Sequence, residues 1–138
     1  MDVSGFGVTA AEVAHKGGRT YGYRVEDLSG SIAYLPDHGP VQGCSAEVRA
    51  MIRGVDVLLH DAQFLESERS TADLFGHATV DEAIQLATEA GVGTLVLFHH
   101  GPARTDDQLD AIGRALDAPI KVVLAAEGQV IEVGPNAL

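Results

Sequence analysis

Alternation of apolar and polar positions marks the early part of the chain. Tyr21, Tyr23 and Val25 alternate with Gly22 and Arg24, the period-two pattern of a half-buried strand. Ile32 to Leu35 predicts a second strand, which Pro36 stops. With the turn EDLSG at 26–30 between them, the two segments read as a hairpin. Residues 1 to 7, with Gly5 and Gly7 flanking Phe6, read as a loose start. From residue 45 the period changes to that of helices. Val48, Met51 and Ile52 share one face of a short helix over 45–53, with Gly54 at its end. Val55 to Leu59, apolar except for Asp56, is expected as a buried strand that ends on His60 and Asp61. Residues 63–75 form a polar connection with room for one helical turn.

Thr79 with Glu82 fits a capping box, and Val80, Ala83, Ile84 and Ala87 line one face of the helix it opens. That helix is expected to end near Gly91, and Thr94 to Phe98 to be a strand. Thr105 with Gln108 repeats the capping box, with Leu109, Ile112 and Leu116 on the apolar face. Ile120 to Ala125 and Gln129 to Val133 are expected to close the chain as two strands around the turn AEGQ. The order is strands first, then alternating βαβαβ, then a final strand. It predicts an α/β chain, with helices on a mixed sheet. At 138 residues, one domain over 1–138 is the expectation.

Charge narrows the partners. Nine Lys and Arg face twenty Asp and Glu, a net charge of -11. No basic patch exists to track a phosphate backbone without sequence preference. A locally positive metal centre could still draw an anionic substrate. The single cysteine, Cys44, excludes an internal disulfide and a cysteine-based zinc site. The start MDVSGFGV lacks the basic and apolar regions of a signal peptide, and no apolar run reaches the roughly 20 residues of a membrane span. A cytoplasmic protein with no membrane contact is expected.

Three predicted strand ends close on His or Asp: Asp37-His38, His60-Asp61 and His99-His100. Strand C-termini are where α/β proteins commonly place chemistry. Each has a plainer reading. Asp37 suits the start of the turn DHGP. His60-Asp61 could cap the following segment, although an ionisable pair beside a core is costly unless partnered. His77 could be a loop histidine bonded to the turn capped by Thr79. Neighbours on a strand face opposite sides, so one of His99 and His100 is expected to point into a site. His15, before Lys16-Gly17-Gly18, reads as a surface or substrate-side residue.

Together, the ordered series TYGYRVED, AYLPD, LLHDAQF, FGHATVDEAIQLATEAGV and LVLFHHGP resembles the C-terminal half of metallo-β-lactamase-fold hydrolases. The branch it resembles includes ribonuclease Z and cyclic-phosphate phosphodiesterases. The resemblance covers roughly residues 12 to 133. It implies half of an αββα sandwich, and a metal-dependent phosphodiesterase with two zinc ions, manganese being possible. It implies Asp37 as the carboxylate that bridges the metals and His99 as the last metal ligand. It implies His77 as general acid or phosphate-contacting residue, and Asp61, where relatives often carry Glu, as the group that orients and charge-stabilises His77.

One departure is large. The family's His-x-His-x-Asp-His cluster does not occur in these 138 residues, nor does any His-x-His. Asp37 and His99 alone do not close a coordination sphere around two zinc ions. The expectation is therefore a truncated or split phosphodiesterase whose helices cover one sheet face. The other face would be left apolar for a missing N-terminal half or a second copy. The acidic balance favours a small phosphodiester over RNA as substrate. The alternative reading is a non-catalytic remnant that serves as an interaction or structural module. A metal-free hydrolase using His77 and Asp61 ranks below both, because no Gly-x-Ser-x-Gly elbow is present.

Overall fold

A computed structural model describes residues 1–134. Seven strands form one sheet in sequence order. They are β1 (Asp2–Val3), β2 (Phe6–Val13), β3 (Thr20–Glu26), β4 (Ser31–Leu35), β5 (Val57–Asp61), β6 (Thr94–Phe98) and β7 (Lys121–Leu124). The first four pair antiparallel, and β4 to β7 pair parallel. Four helices connect the parallel strands: α1 (Ala46–Ile52), α2 (Arg69–Phe75), α3 (Val80–Ala90) and α4 (Asp106–Ala115). The mixed sheet and the β3–β4 hairpin are as the periodicity predicts.

The helix boundaries follow local chemistry. Ser45, Thr79 and Thr105 each accept a backbone N–H at the first turn of α1, α3 and α4. Both expected capping boxes form. Gly76 and Gly91 end α2 and α3 in the left-handed conformation, which glycine adopts without a Cβ clash. The core lies on one face of the sheet. Ala33, Leu35, Leu58, Leu95 and Leu97 point into a buried cluster with Val48, Ile52, Ala83 and Leu86 from α1 and α3. Fully burying one such aliphatic side chain contributes about 1.5–3 kcal/mol.

The opposite face is different. Ala10, Tyr23, Tyr34, Leu59, Val96 and Val123 stand in one row across six strands. No described helix covers this row, and Tyr23 and Tyr34 are 43% and 39% exposed. The face is open at the two tyrosines and closed at Val96, which is 1% exposed, so it is the partly bare apolar face expected of half a sandwich.

Three expectations are corrected. Residues 1 to 7 are not loose: β1 and the start of β2 form a small hairpin there. Residues 63–75 hold more helix than one turn, a 3₁₀ segment at Glu66–Glu68 and then α2. Gln129 to Val133 does not form a strand. The turn before it explains why. Gln129 N–H donates to Ala126 O at 3.1 Å, and φ is positive at Gly128 but not at Glu127. That is the type II pattern. Two-residue hairpins need a positive φ at the first central residue, and a type II turn splays the flanking strands. The segment leaves the edge of β7 and runs over the bare face. Gln129 to Glu132 face Thr94, Lys121 and Val123, and Val133 sits against Gly30.

Candidate functional site

The C-terminal ends of β4, β5 and β6 lie side by side, so the residues that leave them are neighbours. Pro36 ends β4 and Asp37 follows with φ 45°. Asp61 is the last residue of β5 and lies on the bare side, in step with Leu59. His99 follows β6 with φ 58°. Left-handed backbone is uncommon outside glycine, though Asp and His tolerate it better than most residues. Two such residues flank Asp61, a kind of strain that clusters at functional sites.

His77 arrives from a different element. Gly76 turns the chain out of α2, and an isolated parallel bridge between Phe64 and Thr79 ties the loop to the segment after β5. Phe64 N–H donates to Ala78 O, and Val80 N–H donates to Phe64 O. His77 Nδ1 thereby reaches Asp61 Oδ2 at 2.7 Å. The carboxylate accepts, so Nδ1 carries the proton and Nε2 faces away from Asp61. Asp61 Oδ1 also accepts the backbone N–H of Gln63 at 3.1 Å.

All four sequence-predicted site residues meet. One ligand atom from each of Asp37, Asp61, His77 and His99 lies within 4.8 Å of the others. His99 Nδ1 is 3.2 Å from Asp37 Oδ1 and 3.8 Å from Asp61 Oδ1. A tetrahedral ion with bonds of about 2.1 Å holds its ligands about 3.4 Å apart, so the Asp37–His99 pair fits one metal edge. Imidazole and carboxylate donors suit zinc or manganese. The side chains of Asp37 and His99 are 43% and 38% exposed.

The pKa of Asp61 is pushed up by burial, and the hydrogen bond and charge of His77 pull it back. Further histidines surround this cluster. His15 Nδ1 donates to Gly76 O at 2.7 Å, and its ring centre is 5.1 Å from that of His77. It is part-buried beside the site. His100 is half-buried with Nε2 enclosed, and burial lowers its pKa.

The sequence reading did not anticipate the pairing of His38 with His60. Both are fully buried, and His38 Nδ1 is 2.9 Å from His60 Nε2. Burial lowers the pKa of His38 to about 4 and that of His60 to about 3, so both rings are neutral at pH 7. The only sequence signal for this pair was that each histidine adjoins a strand-end aspartate.

Comparison with known proteins places the fold. The profile of the beta-lactamase superfamily domain matches residues 1–100. The chain belongs to the beta-lactamase superfamily. Within this superfamily, ribonuclease Z of Shouchella clausii is 42% identical over 62 residues, which are 43% of this chain and 20% of that protein. Among solved structures, the metallo-beta-lactamase fold protein YhfI from Bacillus subtilis superposes with a TM-score of 0.76 at 22% identity. That match covers 94% of this chain and 50% of YhfI. Zinc-bound PqqB from Methylobacterium extorquens superposes with a TM-score of 0.68 at 20% identity, covering 95% of this chain and 52% of that one. These structures share the metallo-beta-lactamase fold. The chain spans about a fifth of the curated relative and half of the solved structures. Among the described residues no helix is long and apolar enough to cross a membrane.

Proposed function

We propose that this chain carries one wall of a metal-dependent phosphodiester hydrolase site. In this reading Asp37 and His99 are metal ligands and His77 exchanges a proton with the leaving oxygen. Asp61 orients His77 and stabilises its charge. The observation that carries it is the convergence of four residues, from three strand ends and one helix-entry loop, within 4.8 Å. Zinc would supply a water of pKa about 7, and zinc or manganese would offset the charge of a phosphodiester. The chain's own residues do the rest. The Asp61–His77 bond fixes the imidazole so that Nε2 is free to meet substrate. The net charge of -11 favours a small phosphodiester over RNA. The ribonuclease Z name of the curated relative supports the phosphodiester class.

The test is metal content followed by turnover of bis(p-nitrophenyl) phosphate with zinc or manganese. Retained metal with turnover supports the hydrolase. One observation favours a second reading, a non-catalytic interaction module: the chain lacks His-x-His-x-Asp-His, and its bare apolar face offers a docking surface. Absence of both metal and turnover, with a stable complex at that face, would favour it. Such a complex could be a homo-oligomer or a contact with a complementary N-terminal half.

A further inference from the structure

We propose that His38 and His60 form a positioning link that sets Asp37 and Asp61 relative to one another. The inference rests on the metal-dependent reading of the site for its purpose, and on geometry alone for its existence. The backbone ladder between β4 and β5 ends at Leu35 opposite His60. Beyond that point Pro36 has no N–H to donate, and Asp37 turns left-handed. The backbone pairing of the two strands therefore stops one step short of the site. The imidazole bond takes over there, joining the residue after Asp37 to the residue before Asp61.

One contact fixes the proton order of this link. His60 Nδ1 lies 2.6 Å from the backbone oxygen of Asp61, which can only accept. The proton of neutral His60 is thus on Nδ1, and its Nε2 accepts. His38 Nδ1 must then donate to it. The line runs His38 Nδ1–H to His60 Nε2, then His60 Nδ1–H to the Asp61 carbonyl. It pins the Asp61 peptide, whose side chain leaves on the opposite face of the sheet to hold His77. His60 shares its register row with the core residues Leu35 and Leu97. Leucine would fill that space without burying polar atoms at a cost. Two imidazoles there are poor core filling. They are well suited to fixing an angle.

Three variants test this: His38→Leu, which removes the bond, His38→Asn, which keeps an N–H at the Nδ1 position, and His60→Gln. The last keeps a partner for His38 but drops the bond to the Asp61 carbonyl. Cobalt(II) titration followed by visible absorption reads the metal site. The proton signal of His77 Nδ1–H, in metal-free protein, reads the Asp61–His77 bond. We expect His38→Leu and His60→Gln to weaken cobalt binding about tenfold or more. Both should also shift or broaden the His77 signal, and His38→Asn should restore both readouts. A folded His38→Leu, or a folded His60→Gln if His38→Leu does not fold, with unchanged cobalt affinity and unchanged His77 signal would overturn the inference. If the unaltered chain takes up no cobalt, the metal reading fails. The His77 signal then decides the positioning role by itself.

Discussion

Asp61 and His77 act as one hydrogen-bonded unit, 2.7 Å apart, with Asp61 fully buried and the His77 side chain 13% exposed. Asp61→Asn keeps the shape but removes the charge that holds the imidazole. In metal-loaded protein it should lower hydrolysis of bis(p-nitrophenyl) phosphate by about 10²–10⁴. His77→Ala should cost a similar factor, and the double variant little more, because residues that act as a unit are not additive. Independent, multiplying losses would sink the paired assignment.

Asp37 and His99 meet across 3.2 Å. Zinc measured after dialysis should fall to background in Asp37→Ala and in His99→Ala. His100→Ala, altering a ring outside the four-residue cluster, should keep the metal. Equal retention in all three would place the ion elsewhere.

Acid should destabilise the protein through the buried histidine pair. The rings titrate at about 4 and about 3 when folded, below the usual 6.5, because burial disfavours the charged form. The unfolded rings take up protons as pH falls through 6.5 while the folded rings do not. The stability from neutral burial is thus fully present above about pH 6.5 and is lost as pH falls towards 4. The slope is at most about 1.4 kcal/mol per pH unit for each ring. Asp61 works in the opposite sense: its raised pKa means that stability is gained as pH falls and the carboxyl protonates. Denaturant midpoints should drop between pH 7 and pH 5, and the drop should be shallower in His38→Leu. Because Asp61 opposes the rings, the comparison decides: a His38→Leu profile as steep as that of the unaltered chain would contradict the burial of neutral rings.

Gly22 sits where β3 passes under the core. A Cβ there would overlap Leu35 Cδ2 and come within 3.0 Å of Met51 Cε. Gly22→Ala should therefore destabilise the fold by about 1–3 kcal/mol through overpacking. Adding Leu35→Ala should recover part of that loss in a double-mutant cycle. Unchanged thermal stability in the single variant would mean that the core yields at no cost.

The bare face predicts association. Size-exclusion chromatography with light scattering should report a species larger than a monomer at micromolar concentration. Tyr23→Lys with Tyr34→Glu should shift it towards monomer, since both side chains stand on the exposed row. A well-behaved monomer of the unaltered chain would count strongly against association through this face.

Much of this was legible along the chain. Thr79-Glu82 and Thr105-Gln108 announced α3 and α4, because a capping box is satisfied within four residues. Ser31 to Leu35 and Thr94 to Phe98 announced β4 and β6 by composition and bounding residues. Asp37, Asp61, His77 and His99 each adjoined an element end, as His38, His60 and His100 did, and the resemblance to metallo-β-lactamase-fold hydrolases singled out those four. The edge of β7 misled. Gln129 to Val133 is rich in β-branched residues, as a strand often is, yet the backbone hand of the turn at Glu127-Gly128 turned it away from the edge of β7.

The sequence by itself determined where elements start and stop, because caps, turns and hydrophobic period are local interactions among residues a few positions apart. Only the tertiary structure decided which ends meet. The parallel order of β4, β5 and β6 put Asp37 and His99 on either side of Asp61. The Phe64–Thr79 bridge then folded His77 back onto Asp61 from 16 residues away. It also put His60 on the core side of β5, where it found His38, because successive strand residues face opposite ways. Convergence of this kind depends on sheet order and loop path, which no local pattern encodes.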